Sequence, residues 1–149
     1  MEKKKVVIKE KKEVAKKERY VETIGRRKTS VVRVRLFPTK EKYGGKYDIT
    51  INDVPFIKYF SLEKQRKMIV SPFVATQQMY RVVVHAKGGG VSSQADAIRL
   101  GIARAILSMH PETRGRLKGL GYLKRDPRMV ERKKFGSRKA RRPQQWRKR

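Results

Sequence analysis

The sequence predicts an α/β fold: a two-layer α+β sandwich in which a four-stranded sheet carries helices on one face, followed by an extended basic tail. Three observations predict it. Several short segments alternate apolar and polar residues with a period of two. One long segment, from about Ser92 to Met109, repeats apolar residues every three or four positions. And residues 114–149 carry 16 Lys and Arg against only Asp126 and Glu131, with too few apolar side chains to build a core.

The elements follow in chain order. Residues 1–19 mix nine Lys and Arg with four Glu and show no packing face. They read as a charged N-terminal extension, equally a solubilising arm or an RNA-binding one. Residues 20–113 read as the globular α/β domain. Tyr20 to Leu36 predicts two strands around a turn at Gly25. In the second strand Val32, Val34 and Leu36 alternate with Val31, Arg33 and Arg35, which puts both arginines opposite the core. Phe37-Pro38 ends it, and Gly44-Gly45 marks a flexible loop. Tyr47, Ile49 and Ile51 form a third strand, and Asn52-Asp53 turns the chain. Ser61 is expected to cap a short helix, with Lys64, Arg66 and Lys67 on its polar side and Leu62, Met68 and Ile69 on its apolar side. Ser71-Pro72 is expected to restart it. Residues 80–86 are the fourth strand, with Val82, Val84 and Ala86 inward.

In the long helix, Val91, Ala95, Ile98, Ile102, Ala105, Ile106 and Met109 form the apolar stripe. Ser92 or Ser93 is the expected cap. Ala97, Gly101 and Ala103 allow close packing on the sheet, and His110-Pro111 stops the helix. Gly115, Gly119 and Gly121 then break any long helix. Residues 114–149 read as an extended basic C-terminal arm that orders on its ligand.

Charge narrows the function. Across 149 residues, 41 Lys and Arg face 13 Asp and Glu, a net +28, of which the arm holds +14. Like charges at that density oppose compaction unless a polyanion neutralises them. Nucleic acid is that polyanion, since basic side chains gain affinity by releasing counterions condensed on phosphates. An anionic membrane would need an amphipathic helix with an inserting apolar face, which the most basic segments lack. The chain has no cysteine, so disulfides and cysteine zinc sites are excluded, which fits a reducing compartment. No apolar run approaches the roughly 20 residues of a membrane span. There is no signal-peptide apolar core, and Glu2, Glu10, Glu13 and Glu18 argue against an organelle transit peptide.

Three motifs carry the chemistry. Gly25-Arg26-Arg27-Lys28-Thr29-Ser30 sets three cations and two hydroxyls at a turn, which suits phosphate. Lys87-Gly88-Gly89-Gly90-Val91-Ser92-Ser93 leads a glycine loop into a helix N-terminus. It reads either as an anion site for an RNA phosphate or as a tight strand-to-helix connection. It lacks the Gly-Lys-Ser/Thr ending of a nucleotide-binding P-loop. From Arg125 to Arg149, Arg and Lys interleave with Phe135 and Trp146. Arginine can bridge phosphates and aromatic rings can stack on bases. Asp126 and Glu131 are expected to pair with neighbouring cations and set local shape rather than catalyse. His85 and His110 have no carboxylates at ligand spacing, and no serine sits in a nucleophile elbow, so no catalytic or metal residue is assigned.

Together these segments resemble the small-subunit ribosomal protein S-nine family, in its bacterial or organellar form. The resemblance runs over about residues 20–149. It is carried by Gly25 to Ser30 with Val31 to Leu36, by Gly88 to Gly90 with Gln94-Ala95, Ala97-Ile98-Arg99 and Gly101 to Ala105, by Arg125 through Gly136, and by Lys139-Ala140-Arg141-Arg142 with Trp146 and Lys148-Arg149. It implies a fold of the ribosomal protein S-five second-domain type, with a left-handed βαβ crossover, against the usual right-handed rule. It implies a cytoplasmic, non-enzymatic constituent of the small subunit head during translation, with no cofactor, metal, small-molecule substrate or membrane. Its partners would be small-subunit ribosomal RNA, P-site tRNA and neighbouring head proteins. The residues expected on ribosomal RNA are Arg26, Arg27, Lys28, Thr29, Arg33, Arg35 and Lys87 in the domain. In the arm they are Arg125, Arg128, Arg132, Lys133, Lys134, Arg138, Lys139, Arg141 and Arg142. Those expected on the tRNA are Arg147, Lys148 and Arg149.

The chain departs from the family pattern at Ser93 and Asp96, where Gly is usual, at Lys124, where Thr is usual, and at Arg147, where Ser is usual. Asp96 suits the helix dipole but would repel a phosphate there. Two other readings stay open at this level: a nucleic-acid-binding or chaperone module outside the ribosome, and an enzyme using the glycine loop.

Overall fold

The structure, a computed structural model, describes residues 19–38 and 47–147. The Gly44-Gly45 loop, Lys148, Arg149 and all of the N-terminal extension but Arg19 lie outside the described residues.

Strands β1 (Val21–Arg27) and β2 (Ser30–Phe37) form a hairpin whose register runs from Val21↔Leu36 to Arg27↔Ser30. The turn is therefore Lys28-Thr29, not Gly25, and Lys28 takes the left-handed φ of 49°. Gly25 lies buried inside β1 for a different reason. A Cβ there would come within 1.8 Å of the Ala97 carbonyl oxygen, so the glycine lets a helix backbone touch the strand.

Strand β3 (Ile49–Ile51) is shorter than the pattern implied. Asn52 and Asp53 turn as expected, at φ 45° and 64°, the left-handed pair that matches strand twist in a two-residue hairpin. They lead into β4 (Val54–Pro55), a fifth strand that corrects the four-stranded expectation. Two exposed residues ending in proline give no alternation to read, and proline confines them to a sheet edge. The Asn52 side chain extends the sheet, accepting the Ala86 N–H at 2.9 Å and donating to its carbonyl at 3.1 Å.

After the short α1 (Phe56–Tyr59), α2 (Glu63–Thr76) runs through Pro72 as one helix. Ser61 does not cap it, and Leu62, at the N-cap, is exposed rather than part of the apolar face. Continuity across Pro72 has a local cause. Proline lacks the N–H that would bond the Met68 carbonyl. The Ser71 hydroxyl donates to that carbonyl instead, at 2.7 Å.

Strand β5 (Arg81–Lys87) lies antiparallel to β2 and parallel to β3, giving the order β1-β2-β5-β3-β4. Helix α3 (Val91–Met109) starts from Gly90 as N-cap, so neither expected serine is the cap. Ser93 acts from the third position, accepting the Gly90 N–H at 3.1 Å. Val91 is exposed; Ala95, Ile98, Ile102, Ala105 and Ile106 of the stripe are fully buried, and Met109 packs partly buried at its end. They pack on Val32, Val34, Leu36, Val82 and Val84 in one core. After a 3-10 turn (Pro111–Thr113), α4 (Arg114–Gly119) adds the fully buried Leu117, and Tyr122 and Leu123 also pack on the core. The packed body thus continues past Thr113.

Candidate nucleic-acid interface

Alternation along β2 sends Val32, Val34 and Leu36 into the core and leaves Val31, Arg33 and Arg35 on the open face. Register sets Arg33 beside Ile24 and His85, Arg35 beside Glu22 and Val83, and Val31 beside Arg26 and Lys87. Lys28 and Thr29 are exposed at the hairpin end of the same sheet. Glu22 answers two of these cations: Arg33 Nε donates to one carboxylate oxygen and Arg35 Nε to the other, each at 2.9 Å. Those bonds, Arg35's first, hold the Glu22 carboxyl below its ordinary range. Guanidiniums also cover rings: Arg35 lies 5.2 Å from the Tyr20 centroid and Arg81 5.4 Å from that of Phe37. A shallow groove of about 500 Å³ runs between Thr29, Val31, Arg33, His85, Lys87 and Gly88. The face offers oriented cations and flat rings.

The glycine loop turns inward. Gly88 and Gly89 take left-handed φ of 73° and 67°. The Gly88 carbonyl accepts Ser30 Oγ and Gln94 Nε2, both at 3.1 Å. Ser30 and Ser93 hydroxyls meet at 2.8 Å, and Tyr59 donates to Gln94 Oε1 at 2.8 Å. This is the tight strand-to-helix connection of the two readings. Asp96, one turn on, pairs with Arg27 at 3.6 Å and Arg99 at 3.3 Å. Lys87 itself stays exposed.

Arg27 differs from its neighbours. It sits on the helix side of β1 with its side chain only 14% exposed. Its Nη2 meets Asp126 at 2.8 Å, and its Nη1 donates to the Arg128 carbonyl at 2.8 Å. Asp126 in turn accepts the Arg128 backbone N–H at 3.0 Å and the Arg128 guanidinium. The Arg128 bonds, and then the Arg27 charge, hold the Asp126 carboxyl well below the usual range. So Arg27, expected on phosphate, is engaged inside the chain and fastens the root of the arm. A small cleft beside it is lined by Arg26, Arg99, Lys124 and Arg125. Arg99 is not among the residues expected on RNA from the sequence. Its readable signal was the i, i+3 spacing from Asp96.

Among the described residues beyond Arg128 the arm has no helix or strand, and Arg132, Lys133, Lys134, Arg138, Lys139, Arg142 and Arg147 are all exposed. It is not simply extended. Glu131 accepts both Nε and Nη2 of Arg141, the former at 2.9 Å, and this lowers the Glu131 carboxyl. A bridge joins Ser137 to Pro143, and Arg138 N–H donates to the Arg142 carbonyl at 2.8 Å. Both arm carboxylates are thus clasps, one to the body and one within the arm. His110 does have a carboxylate neighbour, Glu112 at 3.1 Å from Nδ1, and its Nε2 meets Tyr80 OH at 2.7 Å.

Residues 25–149 match the family model for ribosomal protein S9/S16. The small ribosomal subunit protein uS9 of Synechococcus sp. (strain JA-2-3B'a(2-13)) is 49% identical over 130 residues, covering 84% of this chain and 90% of the relative. That of Mycobacterium tuberculosis (strain ATCC 25618 / H37Rv) is 45% identical over 134 residues, covering 89% and 85%.

Proposed function

Because this chain belongs to the ribosomal protein S9/S16 family, and so is a structural constituent of the small ribosomal subunit rather than an enzyme, we propose how its surfaces divide the work of binding RNA. The open sheet face and the arm bind head ribosomal RNA through phosphate contacts. Arg147, Lys148 and Arg149 contact P-site tRNA. The body ends near Leu123 and the RNA-seeking arm starts at Lys124. The parallel β3–β5 pair, joined through β4, α1 and α2, is the crossover for which the S-five likeness implies a left-handed sense.

One observation carries this reading. The arm's acids are tied to Arg27, Arg128 and Arg141, while Arg132, Lys133, Lys134, Arg138, Lys139 and Arg142 stay exposed, with no ion pair among the described residues. Cations held apart on a coreless strip repel one another until phosphates neutralise them. Arg26, Arg33, Lys28 and Lys87 supply a second basic surface on the body.

The test for the tRNA contact is deletion of Arg147 to Arg149 in purified small subunits. P-site tRNA affinity and reading-frame fidelity should both fall. Unchanged values would remove the tRNA role and leave ribosomal RNA binding standing.

A further inference from the structure

We propose that residues 131–143 form a clasped loop that presents the Phe135 ring for stacking on an unpaired RNA base, with its flanking cations on the neighbouring phosphates. The proposal deepens the RNA reading above and rests on it.

The loop is closed three ways: the two-pronged Glu131–Arg141 pair, the Ser137–Pro143 bridge, and the Arg138 N–H bond to Arg142. Gly136 supplies the left-handed φ of 71° that turns the chain directly after Phe135. Phe135 stands 97% exposed at this turn. A single exposed hydrophobe is ordinary on a folded surface. This one is held on a loop with no core to fold into, between Lys133, Lys134, Arg138 and Lys139, all exposed.

The surroundings choose the partner. An apolar pocket on a protein would bury the ring but strip water from the adjacent cations without repayment. A nucleotide satisfies both, since its base offers a flat face to the ring and its phosphates accept the cations. Stacking tolerates any base, so the contact adds affinity without sequence reading. The clasp lowers the ordering cost of binding relative to a free tail.

The test uses the full-length chain assembled into small subunits stripped of their own copy. In a Trp146→Phe background, which removes the single tryptophan, Phe135→Trp places a fluorescent reporter on the loop. Its emission should be quenched, and shielded from acrylamide, on assembly. Phe135→Ala should weaken retention by about 5- to 150-fold, the range for one stacked base, and Phe135→Tyr should hold it within about twofold. Glu131→Arg should weaken retention too, and the swap Glu131→Arg/Arg141→Glu should restore it. Because the ring is exposed, thermal unfolding of the free Phe135→Ala chain should match that of the unaltered chain. The proposal is overturned if Phe135→Ala assembles normally and the indole reporter stays as bright and as accessible as in the free chain, while the unaltered chain still joins subunits. It is also overturned by shielding without quenching, which would mean a protein covers the ring. If the unaltered chain does not bind ribosomal RNA at all, the broader reading falls first.

Discussion

The body and the arm are shaped by opposite means. The body closes by burying aliphatic side chains of β2, β5 and α3 and by pressing glycine against helix backbone at Gly25. The arm has almost nothing to bury: Val130, Phe135 and Trp146 are 89%, 97% and 92% exposed. Its shape comes from two carboxylates, each gripping arginine, and from a few backbone bonds between residues 137 and 143. In the arm of a chain of net +28, the two acids sit where they fix geometry, and the described cations from Arg132 to Lys139 face outward.

The body's close packing gives the largest effect. Gly25→Val should cost about 3 kcal/mol or more in chemical unfolding, because its Cβ would overlap the Ala97 carbonyl. A loss under about 0.5 kcal/mol would mean that the contact yields easily. The arm's side breaks differently. Arg27→Ala should raise the rate of limited proteolysis near Lys124-Arg125 in the free chain at least tenfold, while the body's unfolding midpoint moves little. If the body melted instead, Arg27 would be a core strut rather than a clasp.

Salt dependence sharpens the contrast. Removing two arm cations, Lys133→Ala/Lys134→Ala, should flatten the plot of log affinity against log salt by about 0.9 for each lost duplex contact, or about 0.7 on single strands. Glu22→Gln should change that slope less, since it removes a carboxylate that only orients Arg33 and Arg35.

The smallest effect is on pH. Asp126 is held below its ordinary value of 3.8, so its clasp is complete above that value and fades as pH falls through the lower folded value. Proteolytic protection of the arm root should therefore be the same at pH 7 and pH 5. Loss of protection at pH 5 would mean that the Arg128 and Arg27 contacts are too weak to matter.

The parts legible in the sequence are those where burial repeats. Period two gave β2 and β5, and the stripe of α3 was readable from Ala95 to Ile106. What escaped lacks a repeat. Gly25 looked like a turn because a glycine needed for close approach and a glycine needed for φ are the same letter. Strand β4 is too short to alternate. The unbroken α2 depended on one serine hydroxyl answering the carbonyl that Pro72 orphans. Leu117 lies in a basic, glycine-broken stretch read as arm, with no apolar repeat around it, yet it is fully buried in the core. In the interface, the outward arginines of β2 followed from alternation. The inward turn of Arg27 did not, because its partner Asp126 lies 99 residues away. That Glu131 would pair with a cation and set local shape was legible; that the partner is Arg141, ten residues on, was not.

A density map of the small subunit carrying this chain would show the path of the arm. Asp126 should sit on Arg27 as the arm leaves the body, and the cations from Arg132 to Arg142 should lie within reach of RNA phosphates. An arm lying back across its own domain, or standing in solvent with no phosphate near those side chains, would contradict that path.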